Sequence, residues 1–532
     1  MRKLFSTLVT LLCSMCLLAQ SNDAPVLTII HTNDTHSQIE PAVNRKGVAQ
    51  GGVVERASLL EYFRQQDPDL LYLDAGDMIQ GTPYFNIFDG EVEMLCMNQQ
   101  QLVASTLGNH EFDNGLPFLA DMLRKAQFPM ICCNYHCEGT PLQNLIVPYM
   151  TLYNHGVKIG ITGVTVSPQD LIFARNWAGI TFEDPCTAVN REVETMRSEG
   201  CDLVIVLSHL GYLAAPQPGH KGTLDSDLVA GCRGIDVVIG AHTHVNIEHG
   251  VYFTDPDGRQ VLVTQTGAKQ APIGYLQITM KRGSTYPGCH YSVDSIVCSK
   301  LHPEDYDLTG LGKEMAETIA PYQEVYRAKM NVRLASCPQG LHRGKPQSTL
   351  GNFTSDAFRE IGEQLTGRKM DVSVMNNGGL RADLPAGDVT LGNLFSIFPF
   401  ENTVTILDLK GSDLKRLIES NAGRKLDAWS GTQITLEMEG DRCIASKILV
   451  GGEPIDEERI YTMCTIDFLA EGNSGMTALT HAVKSQNTGI LIRDAMIDYV
   501  KALDAQGKVI EPVVDDRVID KTPRREPRGP ME

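Results

Sequence analysis

The feature that most constrains the fold is a recurrent pattern in which a short apolar run leads into polar residues. The pattern occurs in VLTIIHTND (26–34), DLLYLDAGD (69–77), VKIGITGVT (157–165), DLVIVLSHLG (202–211) and IDVVIGAHTH (235–244). Helix-like segments such as ERASLLEYFRQQ (55–66) lie between the runs. This alternation is typical of an α/β sheet covered by helices on both faces. In such folds the functional residues lie beyond the carboxyl ends of the strands.

The chain has 532 residues, which is more than one ordinary domain holds, so two domains are expected. We predict a first domain over 25–300 and a second α/β domain over 331–520. The polar, helix-leaning segment 301–330 is predicted to connect them. The basic, proline-rich tail 521–532 is predicted to be disordered.

The amino terminus has the pattern of a secretory signal. Arg2 and Lys3 precede an apolar run over 4–18, which is short for a membrane span, so we predict a cleaved signal peptide over 1–19. A retained anchor is the alternative. The residues before Cys13 and Cys16 are not the small ones expected at a lipidated cysteine. No later segment is long and apolar enough to span a bilayer, so the mature chain is expected in the periplasm or otherwise exported.

The net charge limits the classes of molecule that the chain can bind, and the cysteines bear on whether it forms disulfides. A net charge of −19 argues against a nucleic-acid polymer as partner, because neutralising phosphates requires clustered Lys and Arg. A small anionic ligand needs only a few local cations or a metal. Export would permit disulfides. Cys289 and Cys298 flank a strand-like stretch and are a candidate pair, with free thiols as the alternative.

Metal-capable side chains stand at the predicted strand ends. They comprise two carboxylates, one amide and several imidazoles: Asp34, His36, Asp77, Asn109, His110, His209, His242 and His244. Residues i and i+2 of an extended segment point the same way, so each Asp-x-His or His-x-His pair can share one ion. A single Asp at such a place is more often a cap, and a single His is more often structural. The ordered set instead fits two divalent cations.

The stretch GNHEFD (108–113) adds an acid–base pair to this set. Asp113 follows His110 by three residues and is placed to accept the imidazole N–H. That contact would fix the tautomer, raise the pKa of His110 and keep the ring cationic, so that it stabilises developing negative charge.

These motifs, in this order, resemble the calcineurin-like metallophosphoesterase superfamily and its 5′-nucleotidase branch, of the bacterial periplasmic type. The matching stretches are HTNDTHSQIEP, GGVVERASLLEYF, LDAGDMIQGTPYFNIFDGE, TLGNHEFDNG, SHLG and IGAHTH. The resemblance implies a four-layer sandwich, with helices on both sides of two mixed sheets, followed by a second α/β nucleotidase domain. It also implies two divalent metal ions, for which Zn, Mn, Co and Fe are all compatible with the donors.

The resemblance assigns a role to each residue of the first domain. One metal would be held by Asp34, His36, Asp77 and His244, and the other by Asp77, Asn109, His209 and His242. Asp77 would bridge the two ions. His110 and Asp113 match the catalytic pair, with His110 directed at the phosphate.

The second half resembles the nucleoside-binding domain of the same family. By this resemblance, NNGGLR would place Arg381 at the substrate phosphate, with Asn377 helping to shape the pocket. FPFEN would place Phe400 on one face of the base with Asn402 as a nearby base contact, and FLAEGNSG would place Phe468 on the other face. Core packing is the alternative for both rings.

This half also departs from the family pattern at two places. Ser474 stands where relatives often carry an aspartate for the ribose. One substrate-facing arginine is missing from the loop over 338–352, and Arg343 or Lys345 is its candidate substitute.

The leading hypothesis is an exported two-metal phosphohydrolase that acts on nucleoside 5′-monophosphates. Alternatives on the same scaffold are a UDP-sugar hydrolase and a 2′,3′-cyclic-nucleotide 2′-phosphodiesterase. A sulfur-oxidation thiohydrolase is a further alternative and would be expected to lack the two base-stacking rings. A non-enzymatic nucleotide-binding or adhesion protein would require loss of the metal ligands. Metal identity, the preferred nucleotide and the oligomeric state remain open.

Overall fold

The computed structural model describes residues 24–43, 49–169, 171–214, 222–269 and 272–523. The predicted signal peptide over 1–19 lies outside these ranges, as does most of the predicted tail over 521–532.

Two mixed sheets face each other in the first domain. The seven-stranded sheet has the spatial order Tyr291–Leu301, Ile273–Arg282, Val26–Thr32, Leu71–Asp74, Ala104–Thr106, Met130–Ile131 and Ile146–Val147. The six-stranded sheet has the order Val251–Thr254, Gln260–Thr264, Val237–Gly240, Leu203–His209, Val157–Thr165 and Tyr149–Asn154. Aliphatic side chains from both sheets, including Ile29, Leu73, Ile161 and Ile205, form one buried layer between them.

Helices cover the outer face of each sheet. The seven-stranded sheet is covered by Val53–Arg64, Pro83–Phe88, Glu91–Gln99 and Gly115–Leu123. The six-stranded sheet is covered by Pro185–Ser198 and Asp225–Gly231. The predicted four-layer α/β architecture is therefore confirmed.

The strand Val26–Thr32 shows why the apolar runs are nearly continuous. Leu27 and Ile29 point into the layer between the sheets, whereas Ile30 packs against the outer helices. A strand buried on both faces needs apolar residues at successive positions. It runs parallel to Leu71–Asp74, with Thr32 opposite Asp74. The loops that follow these two strands therefore begin side by side at one edge of the sheet.

The helix Gly310–Met330 follows the last strand of the first domain and leads to the second. It packs on the helix Val53–Arg64, where Met315 and Ile319 join Val53 and Ala57 in a buried cluster. The Thr309 side chain caps it by accepting a hydrogen bond from the backbone N–H of Gly312. This connection is therefore fixed to the first domain by apolar packing.

The second domain is also α/β. Its main sheet has the order Ala428–Ser430, Val372–Met375, Ile460–Ile466, Thr403–Lys410 and Lys484–Leu491. A four-stranded sheet comprises Glu453–Pro454, Arg442–Val450, Thr432–Glu439 and Val518–Asp520, and Arg333–Cys337 pairs with Gly387–Thr390. The helices are Thr349–Thr366, Leu391–Ile397, Gly411–Ala422, Asp467–Ala470 and Ile492–Ala505. The short helix Asp467–Ala470 carries Phe468 at the end of a central strand.

Two further sequence expectations concern cysteines and membrane spans. Cys289 and Cys298 both carry free thiols, so the candidate disulfide between them is not formed. Their sulfurs instead hydrogen-bond the Cys201 carbonyl oxygen and the Thr264 hydroxyl, respectively. Among the described residues, none of the helices combines the length and the apolar character needed to cross a membrane.

Candidate active site

The seven predicted metal ligands all lie at the carboxyl ends of parallel strands and converge on one place. Asp34 and His36 follow Val26–Thr32, Asp77 follows Leu71–Asp74, and Asn109 follows Ala104–Thr106. His209 ends its strand, and His242 and His244 follow Val237–Gly240. Both sheets therefore contribute donors to a single site at the shared edge of the sandwich.

Two groups of potential ligand atoms can be distinguished within this site. In the first, His244 Nε2 lies 3.4 Å from Asp34 Oδ1 and 3.0 Å from His36 Nε2. In the second, His209 Nε2 lies 3.2 Å from Asp77 Oδ2 and 4.0 Å from Asp34 Oδ1. The ligand atoms within each group lie within 4.8 Å of one another.

The two carboxylates lie between the groups. Asp34 belongs to both of them, and Asp77 Oδ2 is also 3.9 Å from His36 Nε2 in the first group. Asn109 and His242 extend the second group, with Asn109 Oδ1 2.9 Å from His242 Nδ1. Each group therefore contains imidazole nitrogens and at least one carboxylate, and carboxylate oxygens lie close to both groups.

Hydrogen bonds to backbone carbonyl groups direct ring nitrogens into the site. His36 Nδ1 lies 2.9 Å from the Gln80 carbonyl oxygen, and His209 Nδ1 lies 2.8 Å from that of Ala75. A carbonyl can only accept, so each Nδ1 carries a proton, and the neutral form of each ring, which is the form that binds a metal, presents its lone pair at Nε2. The Nε2 atom of His209 is buried and, within the part of the chain that the structure describes, makes no hydrogen bond of good geometry, although Asp77 Oδ2 lies 3.2 Å away. These rings are therefore oriented as metal ligands, and the mixed O/N donor set fits divalent cations.

The charges of the buried side chains also indicate a site for cations. Burial disfavours the imidazolium form of His209, but Asp77 and Asp34 outweigh burial and raise its pKa to about 10. Two carboxylates that are both shielded from solvent need positive charge close by. Divalent cations would supply that charge.

The ligand loops have an unusual backbone conformation. Asp34, His36, Asp77, His242 and His244 all have φ between 48° and 72°, the left-handed region that is costly for residues with a side chain. The loops after the first two strands hold each other in this shape. Asp34 N donates to the Gly76 carbonyl oxygen at 2.9 Å, and His36 N donates to that of Asp77 at 3.0 Å.

Glu111 is a buried site residue that the sequence reasoning did not assign. Its carboxylate accepts hydrogen bonds from the backbone N–H groups of Asp77, Met78 and Gly108, at 2.6–3.0 Å. Burial and the nearby Asp77 raise its pKa to about 7. The only available signal was its place in GNHEFD. Glu111 fixes the loop that presents Asp77.

Gly108 explains why a glycine precedes Asn109. A Cβ at this position would lie 2.2 Å from Asp77 Oδ1 and 2.7 Å from His209 Cε1. Any side chain here would push two potential ligands out of place.

His110 and Asp113 form the predicted pair. His110 Nδ1 lies 2.7 Å from Asp113 Oδ2, and the His110 backbone N–H donates to Asp77 Oδ1 at 2.8 Å. Burial lowers the pKa of His110, but the carboxylates of Asp113 and Asp77 outweigh burial and hold that pKa above its usual range. The ring stacks on Phe400 of the second domain, at a centroid distance of 5.5 Å and an interplanar angle of 17°.

A cavity of about 520 Å³ extends from this pair into the second domain. Of the predicted substrate residues, Arg381, Phe400, Asn402 and Phe468 line it. Asn377 does not, because its side chain turns away and donates to the Leu426 carbonyl oxygen at 3.2 Å and to Asp427 Oδ1 at 3.3 Å.

Other lining residues were not predicted from the sequence. Asn376 lines the cavity in place of its neighbour Asn377, and the first domain contributes Leu171, Phe173, Arg175 and Asn176. The wall also includes Ser474.

The two candidates for the missing arginine lie in different places. Arg343 donates to the Leu380 carbonyl oxygen at 3.2 Å and to Asp383 Oδ1 at 3.0 Å, on either side of Arg381. Lys345 donates to the Arg424 carbonyl oxygen at 3.0 Å. Arg343 therefore supports the loop that presents Arg381, whereas Lys345 does not contact that loop.

Comparison with known proteins places this geometry in a family. Residues 27–246 match the model of the calcineurin-like phosphoesterase family, and residues 328–481 match that of the 5′-nucleotidase C-terminal domain. Human 5′-nucleotidase is 26% identical over 92% of this chain and 90% of its own length.

The crystal structure of a 5′-nucleotidase precursor from Thermus thermophilus agrees over nearly the whole length. It superposes with a TM-score of 0.81 and 27% identity, over 93% of this chain and 99% of that one. The chain belongs to the 5′-nucleotidase family. A sulfate thiohydrolase from Thermus thermophilus shares the fold, with a TM-score of 0.71 and 16% identity over 95% of this chain and 98% of that one. The fold alone does not separate these two chemistries.

Family membership and the donor set together make the chain a metal-dependent phosphoester hydrolase. In this member of the 5′-nucleotidase family, the first domain holds the potential metal ligands and the His–Asp pair. The second domain closes the cavity over them with Arg381 and aromatic rings.

Glu111 provides a test of how the Asp77 loop is held. Glu111→Gln replaces one accepting oxygen by an N–H₂ group that faces backbone donors, so the loop should shift. We expect the affinity for the metal to fall about 10–100-fold, the usual effect of losing a group that orients a metal ligand. Titration calorimetry of metal-depleted protein measures this. Glu138→Gln, a change at an exposed surface position of the same domain, is the control. Unchanged affinity in Glu111→Gln would contradict the role.

Proposed function

We propose that this chain is an exported enzyme that removes the phosphate from nucleoside 5′-monophosphates with the help of two divalent cations. The observation that carries the proposal is that residues of both domains line one and the same cavity. His110 and Asp113 lie at one end, and Arg381, Phe400 and Phe468 line the wall from the other domain. A phosphate bound beside His110 would leave its nucleoside among aromatic rings.

The proposed metal ligands are those of the strand-end site. Asp34, His36, Asp77 and His244 would hold one ion, and Asp77, Asn109, His209 and His242 the other. When bound, the two cations would activate the attacking water and neutralise the phosphate charge.

The protein's own groups would then act on the reacting phosphate. His110, oriented by Asp113, would stabilise negative charge on the phosphoryl oxygens and assist departure of the nucleoside oxygen. Arg381 would bind the phosphate through its guanidinium group. Burial lowers the pKa of Arg381, while the carboxylates of Asp77 and Asp113 oppose that shift.

The rings of the second domain would recognise the base. Phe400 lies beside His110, and Phe468 lies beside Phe173. The Asn402 side chain would bond the base edge. Stacking is worth roughly 1–3 kcal/mol per base and tolerates different bases, so this wall favours nucleotides as a class.

The two rings also argue against one of the rival functions. A thiohydrolase on the same fold would be expected to lack them, and both are half-buried in the cavity wall here. UDP-sugar hydrolysis and 2′,3′-cyclic-nucleotide hydrolysis would use the same rings. Turnover of AMP, UMP, UDP-glucose, 2′,3′-cyclic AMP and an aryl phosphate, measured with several metals, distinguishes these activities. Similar kcat/KM for AMP and the aryl phosphate would contradict nucleotide specificity.

Replacing each ring tests base recognition directly. Phe400→Ala and Phe468→Ala should each raise KM for AMP by about 5–100-fold, because stacking is lost. KM for the aryl phosphate, which has no base, should change less than about twofold. Phe353→Ala is the matched control, since Phe353 is a half-buried ring of the same domain that packs on Tyr499 away from the cavity. Equal increases for both substrates would mean that the rings only pack.

Export is proposed from the apolar run over 4–18. The mature chain should be recovered from a periplasmic or culture fraction with the mass expected for a start at Gln20. Recovery of a chain that retains Met1 would contradict cleavage.

A further inference from the structure

The segment from Leu171 to Trp177 belongs to the first domain but reaches the second. It lies between the strands Val157–Thr165 and Thr181–Phe182 and includes a short 3₁₀ turn, Ala174–Asn176. Four of its side chains line the cavity, as described above. Neither the metal ligands nor the catalytic pair comes from this segment, which we call the bridging loop.

One end of the bridging loop is anchored beside the catalytic pair. Asn176 is buried, and its side-chain amide donates to the Asp113 carbonyl oxygen at 2.6 Å. Ile172 is buried in the apolar core of the first domain. These two contacts fix the position of the loop relative to His110 and its orienting carboxylate.

The exposed part of the loop contacts the helix that carries Phe468. The rings of Phe173 and Phe468 meet edge to face, at a centroid distance of 5.5 Å and an interplanar angle of 88°. Edge-to-face packing of this kind is a preferred arrangement of two aromatic rings. The guanidinium carbon of Arg175 lies 4.3 Å from the centroid of the Phe173 ring and covers it.

Arg175 also forms ion pairs with both ends of that helix. Its Nη2 lies 3.7 Å from Asp467 Oδ2, and its Nη1 lies 3.5 Å from Glu471 Oε1. Asp467 Oδ1 accepts hydrogen bonds from the backbone N–H groups of Thr403 and Phe468, so this carboxylate is fixed in place. Burial raises the pKa of Glu471, Arg175 opposes that shift, and Asp467 adds to it. The arginine therefore lies between two carboxylates that repel each other.

We propose that Phe173 and Arg175 are specificity-determining residues through which the catalytic domain holds the Phe468 ring against the base. Phe173 would support the edge of the Phe468 ring, and the ion pairs of Arg175 would hold the helix Asp467–Ala470 in its position against the first domain. This inference rests on the proposed nucleotide specificity. It adds that the selectivity for a base depends on both domains, and not on the second domain alone.

The predicted effects are modest and act on nucleotide binding. Arg175 is 58% exposed, so its ion pairs are screened by solvent, and loss of them should raise KM for AMP about 2–5-fold. Removal of the Phe173 ring should raise it about 3–10-fold, the range that an aromatic pair contributes. Neither residue touches the potential metal ligands, so kcat and the KM for an aryl phosphate should change less than about twofold.

The experiment compares KM for AMP and for an aryl phosphate in the full chain. The variants are Phe173→Ala, Arg175→Gln, Arg175→Glu and the charge exchange Arg175→Glu with Glu471→Arg. Arg175→Glu alone should have the largest effect among the charge variants, because it brings three carboxylates together. The charge exchange should recover at least half of that loss, on a logarithmic scale. Arg233→Gln is the matched control, since Arg233 pairs with Asp257 on the exposed surface of the same domain.

The outcomes separate this inference from the function on which it rests. If the wild type does not prefer AMP to the aryl phosphate, the proposed function fails and the inference fails with it. If the wild type prefers AMP but the variants leave the ratio of the two KM values unchanged, only the inference is overturned. Equal loss on both substrates, or no recovery in the charge exchange, would make the loop a packing element and would also overturn it. A lower unfolding temperature in Phe173→Ala leaves the charge exchange as the deciding test.

Discussion

The structure of the catalytic domain depends on two carboxylates held close together at the buried edge of the sandwich. Asp34 and Asp77 are both shielded from solvent, and both face the imidazole of His209. Such a pair is costly unless positive charge and hydrogen-bond donors surround it. Backbone N–H groups meet part of this need, since His242 donates to Asp34 and His110 donates to Asp77. Divalent cations would meet the rest.

This requirement explains several features that would otherwise be unrelated. Five of the potential ligand residues adopt left-handed backbone conformations, and strain of this kind is typical of functional sites. Gly108 leaves room for Asp77 and His209, and Glu111 binds the backbone that presents Asp77. The parallel register of Val26–Thr32 with Leu71–Asp74 sets the two carboxylate-bearing loops side by side.

Much of this could be predicted from the sequence because strand ends are local signals. An apolar run that stops at Asp34, Asp77 or His209 identifies both the strand and the residue it presents, and a parallel sheet brings such ends together. The α/β architecture and the proximity of all seven strand-end residues followed from that pattern and from the family resemblance.

The features that were missed depend on contacts between distant parts of the chain. Phe173 and Arg175 lie in a segment without hydrophobic periodicity, and only the approach of the helix Asp467–Ala470 gives them a role. Asn376 and Asn377 are adjacent, and a 3₁₀ turn decides which of them faces the cavity. Glu111 looked like part of a catalytic motif, but its hydrogen bonds go to backbone groups. In each case the direction of the side chain is set by tertiary structure.

The concentration of charge at the edge of the first domain also accounts for the different roles proposed for the two domains. The potential metal site is filled by charged and hydrogen-bonded side chains, which leaves little space for aromatic rings. The rings that would recognise a base therefore come from the second domain. Under the proposed function, Asp77 would hold metal, whereas His110 would act on the substrate.

Elemental analysis of metal content, combined with turnover of AMP, tests that separation in two variants. We expect two ions per chain in the wild type and in His110→Ala, with kcat of the latter lower by about 10²–10⁴-fold. We expect Asp77→Asn to lose metal from both positions together with turnover. Loss of metal in His110→Ala, or two retained ions in Asp77→Asn, would contradict the account.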